Sequence, residues 1–220
     1  MNRDERAPRG RMQGKRVLVT GAGTGIGRET ALEFGRQGAE VALHYAHSDQ
    51  GARTAVEELS QAGLRAVAFQ ADFAHVEEVR RLAGEALEFL GGLDVLVNNA
   101  WITMNRPFAE VTTEQFDLLY QVNVRASFFL TQAALPALID SRGAVVNLTS
   151  IHAFEGYPEH AVYAGTKGAI VAYTRELAVE LAPKGVRVNA IAPGSTAVEN
   201  HFEVIPDYDL EASGRNIPCG

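Results

Sequence analysis

Tyr163 and Lys167 place a phenol and an ammonium four residues apart. They fall in a run from Glu159 to Leu181 whose alanines and spaced apolar residues predict a helix. Residues i and i+4 of a helix share a face, so the two side chains project side by side. A free tyrosine titrates near pH ~10, too high to exchange protons at neutral pH. A close positive charge favours the phenolate, which makes the tyrosine usable as a general acid or base. The same pair is also compatible with a plain aromatic–aliphatic surface contact, so the pair alone does not assign chemistry.

A second chemical signal opens the chain. Gly21-Ala-Gly-Thr-Gly-Ile-Gly27 follows the β-branched run Lys15–Thr20 and precedes a helical pattern from Arg28 to Arg36. Strand, glycine turn and helix form the opening of a doubly wound nucleotide-binding fold. Glycines let the backbone approach a pyrophosphate, and the helix N-terminus favours its charge. The spacing is T-G-x-x-x-G-x-G; Ile26 stands where a G-x-G-x-x-G pattern has its last glycine.

These groups must be positioned by what lies between them. Strands are predicted at Lys15–Thr20, Glu40–Tyr45, Arg65–Gln70, Leu93–Asn98, Gly143–Thr149 and Gly185–Ala192. Helices are predicted at Gly51–Ala62, capped by Ser48 or Asp49, at His75–Leu90, and at Thr112–Ile139 with a kink or end at Pro136. The alternation predicts an α/β fold: a doubly wound, Rossmann-type parallel sheet of six strands covered on both faces. Ligands of such sheets bind past the carboxyl ends of the strands. Gly21, Asp72, Asn99, Ser150 and Gly194 all lie there.

Composition narrows the classes. The 220 residues are 46% hydrophobic and 21% charged, ordinary for a globular chain. A net charge of -7 argues against nucleic acid or an anionic membrane as partner. No apolar run in the sequence is read as long enough to span a bilayer. Residues 1–13 carry four arginines and two acids and read as a solvated arm, with residues 14–220 forming one catalytic domain. The single cysteine, Cys219, excludes an internal disulfide and suits a cytoplasmic location. No metal is expected.

Together these residues resemble the classical short-chain dehydrogenases/reductases. The resemblance runs from Gly14 onward and rests on Thr20-Gly21-x-x-x-Gly25-x-Gly27, Asp72, Asn98-Asn99-Ala100, Asn123, Ser150, Tyr163-x-x-x-Lys167 and Pro193-Gly194 in that order. It implies hydride transfer between a nicotinamide cofactor and a ketone or secondary alcohol of 3-oxoacyl, sugar or secondary-metabolite type. Tyr163 would be the proton donor, Ser150 would hold the carbonyl oxygen, Lys167 would lower the tyrosine pKa and bind the ribose, and Asn123 would hold a relay water. Gly21, Thr24, Gly25, Ile26, Gly27, His47, Ser48, Asp72, Phe73, Asn99, Ala100, Pro193 and Gly194 would line the cofactor with Tyr163 and Lys167. A homodimer or homotetramer packed through the Asn123 and Tyr163 helices is also implied.

The second strand ends in His44-Tyr-Ala-His-Ser48, with no acid before Asp49. An acid there accepts from a ribose 2′-hydroxyl and repels a 2′-phosphate. Its absence, with His47 and Ser48 as donors, predicts a modest preference for NADP(H), with NAD(H) as the second possibility. Three departures from the family pattern stand out. Trp101 takes the place of a usual glycine, Val198 that of a threonine, and the chain stops at Gly220 where relatives continue into a seventh strand. The sixth strand is therefore expected to be a sheet edge, and residues 198–206 to form an apolar lid. A non-catalytic dinucleotide-binding relative is the competing reading. His152 and His160 are read as loop or pocket residues.

Overall fold

A computed structural model describes residues 10–198 and Asp209. Most of the N-terminal arm, the lid beyond Val198, and Cys219 lie outside the described residues. The strands are β1 (Arg16–Val19), β2 (Glu40–Tyr45), β3 (Ala66–Gln70), β4 (Val95–Asn98), β5 (Ala144–Leu148) and β6 (Arg187–Ile191). All five pairings between them are parallel, in the order β3-β2-β1-β4-β5-β6. The order reverses between β1 and β4, and that crevice is where doubly wound sheets bind nucleotides.

The helices are α1 (Gly25–Arg36), α2 (Asp49–Gln61), α3 (Val76–Leu90), α4 (Thr113–Tyr120), α5 (Ala126–Ser141) and α6 (Ala161–Leu181). The sheet is buried between two apolar layers. One joins Leu18, Leu96 and Val145 to Leu82, Leu130 and Leu138 of α3 and α5. The other joins Val17, Val19 and Leu43 to Leu32 of α1 and Leu59 of α2. Period-two alternation sends neighbouring strand residues to opposite layers, so central strands are apolar throughout. At the amino-terminal edge, Asp94 accepts from the Nε of Arg16 at 2.7 Å and from the Nζ of Lys15 at 3.2 Å, tying β1 to β4.

Several sequence expectations are corrected. The helix expected over Thr112–Ile139 breaks at Asn123, not at Pro136: Gln121–Arg125 forms a π turn, with the Ala126 N–H bonded to the Gln121 carbonyl. Pro136 sits inside α5, which runs on to Ser141 because Ala134 and Leu138 on either side are locked in the core. α2 begins at Asp49 after Ser48, but no side chain caps it; the Asp49 carboxylate instead pairs with Arg53 at 2.8 Å. Thr113–Ser141 is, contrary to the sequence reading, long and apolar enough to cross a bilayer by length and hydropathy alone. Its α5 part packs through Ala126, Leu130, Ala134 and Leu138 into the core between α3 and the sheet. Among the described residues β6 pairs with β5 only and is mostly exposed, as expected of an edge.

Candidate active site

Six loops leave the carboxyl ends of the six strands, and each carries residues singled out above. Gly21 follows β1, His47 and Ser48 follow β2, Asp72 and Phe73 follow β3, Asn99 and Ala100 follow β4, Ser150 follows β5, and Pro193 and Gly194 follow β6.

The glycine turn is held where side chains would not fit. Gly21 is left-handed (φ 63), and a Cβ on it would lie 2.8 Å from Ala100 Cα. A Cβ on Gly27 would lie 2.2 Å from the Gly21 carbonyl oxygen. Asn99 clamps the turn from β4: its Nδ2 donates to the carbonyls of Thr20 at 2.9 Å and Gly21 at 3.1 Å. The Thr20 hydroxyl in return accepts the backbone N–H groups of Asn99 and Ala100. This cradle of backbone at the start of α1 fits a pyrophosphate on its geometry. Ser48 packs against Gly23, and Val198 against Gly25, so both reach the turn.

A residue the sequence reading missed underpins it. His44 is buried; its Nδ1 accepts the Gly21 N–H at 3.2 Å and its Nε2 faces the Ala71 carbonyl at 3.0 Å. The ring stacks on Phe73 with centroids 4.0 Å apart. The sequence places it within the second strand without a role of its own; only the Gly21 contact reveals its job. Burial pulls its pKa down to about 4, the Ala71 carbonyl opposing weakly. The folded value lies below the unfolded one, so the unfolded chain binds more protons between them. Stability from this group is therefore complete above about pH 6.5 and is lost as pH falls towards 4, by up to about 3 kcal/mol. In urea unfolding at pH 6.5 and 4.5, His44→Gln is expected to lose less stability than the parent; an equal loss would contradict the neutral buried imidazole.

Asp72 does not present a bare carboxylate: Oδ1 accepts the Ala74 N–H at 2.9 Å, and Oδ2 lies 3.8 Å from His75. Asn123, in the π turn, clasps Ile102 both ways, accepting its N–H at 2.8 Å and donating to its carbonyl at 2.9 Å. Its Nδ2 also reaches the Thr166 hydroxyl at 3.1 Å, so the side chain binds the loop after β4 to α6.

Tyr163 and Lys167 share the buried face of α6, as the spacing predicts. The end of β5 meets that face. Thr149 donates to the Lys167 carbonyl at 2.8 Å, Lys167 Nζ donates to the Leu148 carbonyl at 2.9 Å, and the Ser150 hydroxyl lies close enough to the Tyr163 phenol to influence its titration. Ser150 also accepts the His152 N–H at 3.2 Å, which orients its hydroxyl. The expected electrostatics are corrected. Burial pushes the Tyr163 phenol up, with the nearby Ser150 hydroxyl pulling the other way. Lys167, only 1% exposed, is brought down by burial to about 7. The four-residue spacing shows adjacency but not desolvation, and desolvation here removes much of the charge that would have lowered the phenol. Nζ lies 5.5 Å from the Tyr163 ring centroid and 5.4 Å from that of Trp101.

Other rings reach the phenol. Trp101 tilts against Tyr163 at 5.5 Å, and His152 meets it edge-on at 5.4 Å. His152 touches Tyr157 at 4.6 Å and His160 at 4.7 Å, and its Nδ1 is buried without a hydrogen-bond partner. Among the described residues no cluster of metal ligands is found.

The comparisons with known proteins agree with this geometry. The profile of the short chain dehydrogenase family matches residues 15–208. The hydroxynaphthalene reductase-like protein Arp2 of Metarhizium brunneum is 42% identical over 212 residues, covering 94% of this chain and 79% of that protein. A short chain dehydrogenase from Burkholderia cenocepacia, solved in complex with NADP, superposes with a TM-score of 0.83 at 38% identity, over 86% of this chain and 77% of that one. A 7α-hydroxysteroid dehydrogenase, solved with NADH and 7-oxo glycochenodeoxycholic acid, superposes with a TM-score of 0.84 at 34% identity, over 90% of this chain and 77% of that one.

Proposed function

The chain belongs to the short-chain dehydrogenase/reductase family, and on that premise we propose that it reduces the carbonyl of a hydroxylated aromatic ketone of secondary metabolism, with NADP(H) preferred over NAD(H). It is an NAD(P)-dependent oxidoreductase acting on CH–OH and C=O groups. The observation that carries the reading is the junction of β5 with α6, where the Ser150 hydroxyl, the Tyr163 phenol and the buried Lys167 ammonium converge past the sheet edge. The aromatic substrate class draws on the name of the Metarhizium relatives and on the rings of Trp101 and His152 against the phenol, with Tyr157 packed on His152.

When bound, the nicotinamide supplies or accepts a hydride. Charge then develops on the carbonyl oxygen, and the protein's task is to hold that oxygen and protonate it. In this reading the Ser150 Oγ and Tyr163 Oη hold it, and the phenol O–H gives its proton to the oxygen as the alcohol forms. A phenol raised by burial is a weak acid in the resting state, and accumulating charge on the oxygen draws the proton across. Lys167, near neutrality, can exchange a proton at physiological pH and so restore the phenol. The cofactor's phosphates fit the Gly21–Gly27 turn, and Asn99, Ala100, Asp72, Phe73, Pro193 and Gly194 bound the remaining edge. Asn123 is assigned the positioning of the loop after β4, with the relay water as a further role.

The cofactor preference rests on the turn after β2. Asp49 is occupied by Arg53, leaving His47 and Ser48, both exposed, as the groups facing a 2′ substituent. A preference for NADP(H) of about tenfold in Kd, or about 1.4 kcal/mol, is expected, shrinking in His47→Ala. Titrations of both cofactors into parent and variant check it; tighter binding of NAD than NADP would overturn the assignment. Exposed Phe116, Leu118 and Phe128 on α4 and α5 support assembly into a homo-oligomer through those helices.

A further inference from the structure

Trp101 lies in the loop after β4, which the Asn123 side chain clasps at its next residue, Ile102. The indole covers two members of the proposed catalytic set, with its centroid 5.5 Å from the Tyr163 ring and 5.4 Å from Lys167 Nζ. The rest of it is bare: Trp101 is 46% exposed, whereas Phe73, an aromatic that fills the core, is 4% exposed. A core-filling role would bury the ring, and a loop ornament would not be pinned over the phenol and the ammonium. From the loop after β5, Tyr157, 47% exposed, leans on His152, which itself meets Tyr163. The phenol is thus reached by the half-bare Trp101 ring from one loop and by His152, with Tyr157 against it, from another.

We propose that Trp101 is a specificity-determining residue whose bare indole face stacks on the flat, conjugated body of the ketone whose oxygen is held by Ser150 and Tyr163. The inference rests on the reading of the site as a carbonyl reductase and adds the selection of flat substrates over puckered ones of equal size. Offset or tilted stacking places aromatic centroids roughly 4.5–7 Å apart, and the indole already stands within that range of the phenol beside which the carbonyl must lie. A saturated ring of the same carbon skeleton presents hydrogens above and below its plane and cannot approach as closely.

The chain contains one tryptophan, so its emission reports Trp101 alone. The 220-residue chain is titrated with 1-tetralone and with its saturated counterpart trans-1-decalone, with correction for ketone absorption. In parallel, kcat/KM for both ketones is measured for the parent, Trp101→Phe and Trp101→Leu. Saturable quenching by tetralone, with a Kd at least about tenfold below that for decalone, is expected. The tetralone-to-decalone ratio of kcat/KM should fall about tenfold in Trp101→Leu and be largely kept in Trp101→Phe. No saturable quenching, or an unchanged ratio in Trp101→Leu, would overturn the proposal. Should the parent reduce neither ketone with either cofactor, or the variants fail to fold, quenching of the parent decides: selective quenching upholds the role of Trp101, and its absence removes it. Failure of turnover alone counts against the reductase reading and not against the stacking.

Discussion

Tyr163→Phe is expected to lower kcat by about a hundredfold to ten-thousandfold while cofactor affinity stays within about twofold of the parent. The substitution removes one oxygen and keeps the ring, so the contacts with Trp101 and His152 persist. It takes away the phenol oxygen beside Ser150, and with it the proton for the developing alkoxide. Because that interaction matures in the transition state, kcat and kcat/KM should fall together with little change in KM. Turnover within a few-fold of the parent would remove Tyr163 from the chemistry.

Lys167→Met is the second large effect, and it has two signs. Turnover and cofactor affinity should both fall, because the lysine is assigned both the recharging of the phenol and the ribose contact. Stability near pH 7 should rise, because a buried ammonium is replaced by an apolar chain of similar length. Burial brings Lys167 to about 7 from the ordinary lysine value of 10.5. The folded value is depressed, so the unfolded chain binds one proton more between about pH 7 and 10.5, and the parent's stability climbs with pH across that window. The variant should lack the climb, which amounts to about 3 kcal/mol between pH 7 and 9.5, while its gain near pH 7 is reduced by the Leu148 carbonyl left without its donor. Urea unfolding of both proteins at pH 7 and pH 9.5 measures the difference. Parallel pH dependence of the two would show the ammonium to be better solvated than its burial implies.

Much of the architecture was legible because its signals are local. β2 was read to the residue, and the other strands within two residues at each end, since β-branched apolar runs between turns admit few alternatives. Placing Gly21, Asp72, Asn99, Ser150 and Gly194 at strand ends was enough to gather them on one edge, because parallel strands share a direction. What stayed hidden depends on burial or on distant partners. Nothing in Gln121–Arg125 marks a π turn; it is needed only where Asn123 meets Ile102 and Thr166. His44 looked like any residue of an apolar strand, although its Nδ1 steadies the glycine turn from 23 residues away. The Lys167 charge was read from spacing as a fixed positive neighbour of the phenol, whereas its environment brings it near neutrality. Trp101 was visible as an oddity, but its contacts with both Tyr163 and Lys167 required the packed loop.

The central claim is that this edge of the sheet delivers hydride to a carbonyl carbon with Tyr163 supplying the proton. Reduced nicotinamide cofactor deuterated at the transferring position, incubated with the protein and a panel of aromatic ketones, tests it by mass spectrometry of the alcohols. Deuterium on the carbinol carbon with the parent, reduced at least about a hundredfold with Tyr163→Phe, is the predicted result. Saturable cofactor binding with no label in any alcohol, or label transferred equally well by Tyr163→Phe, would contradict it.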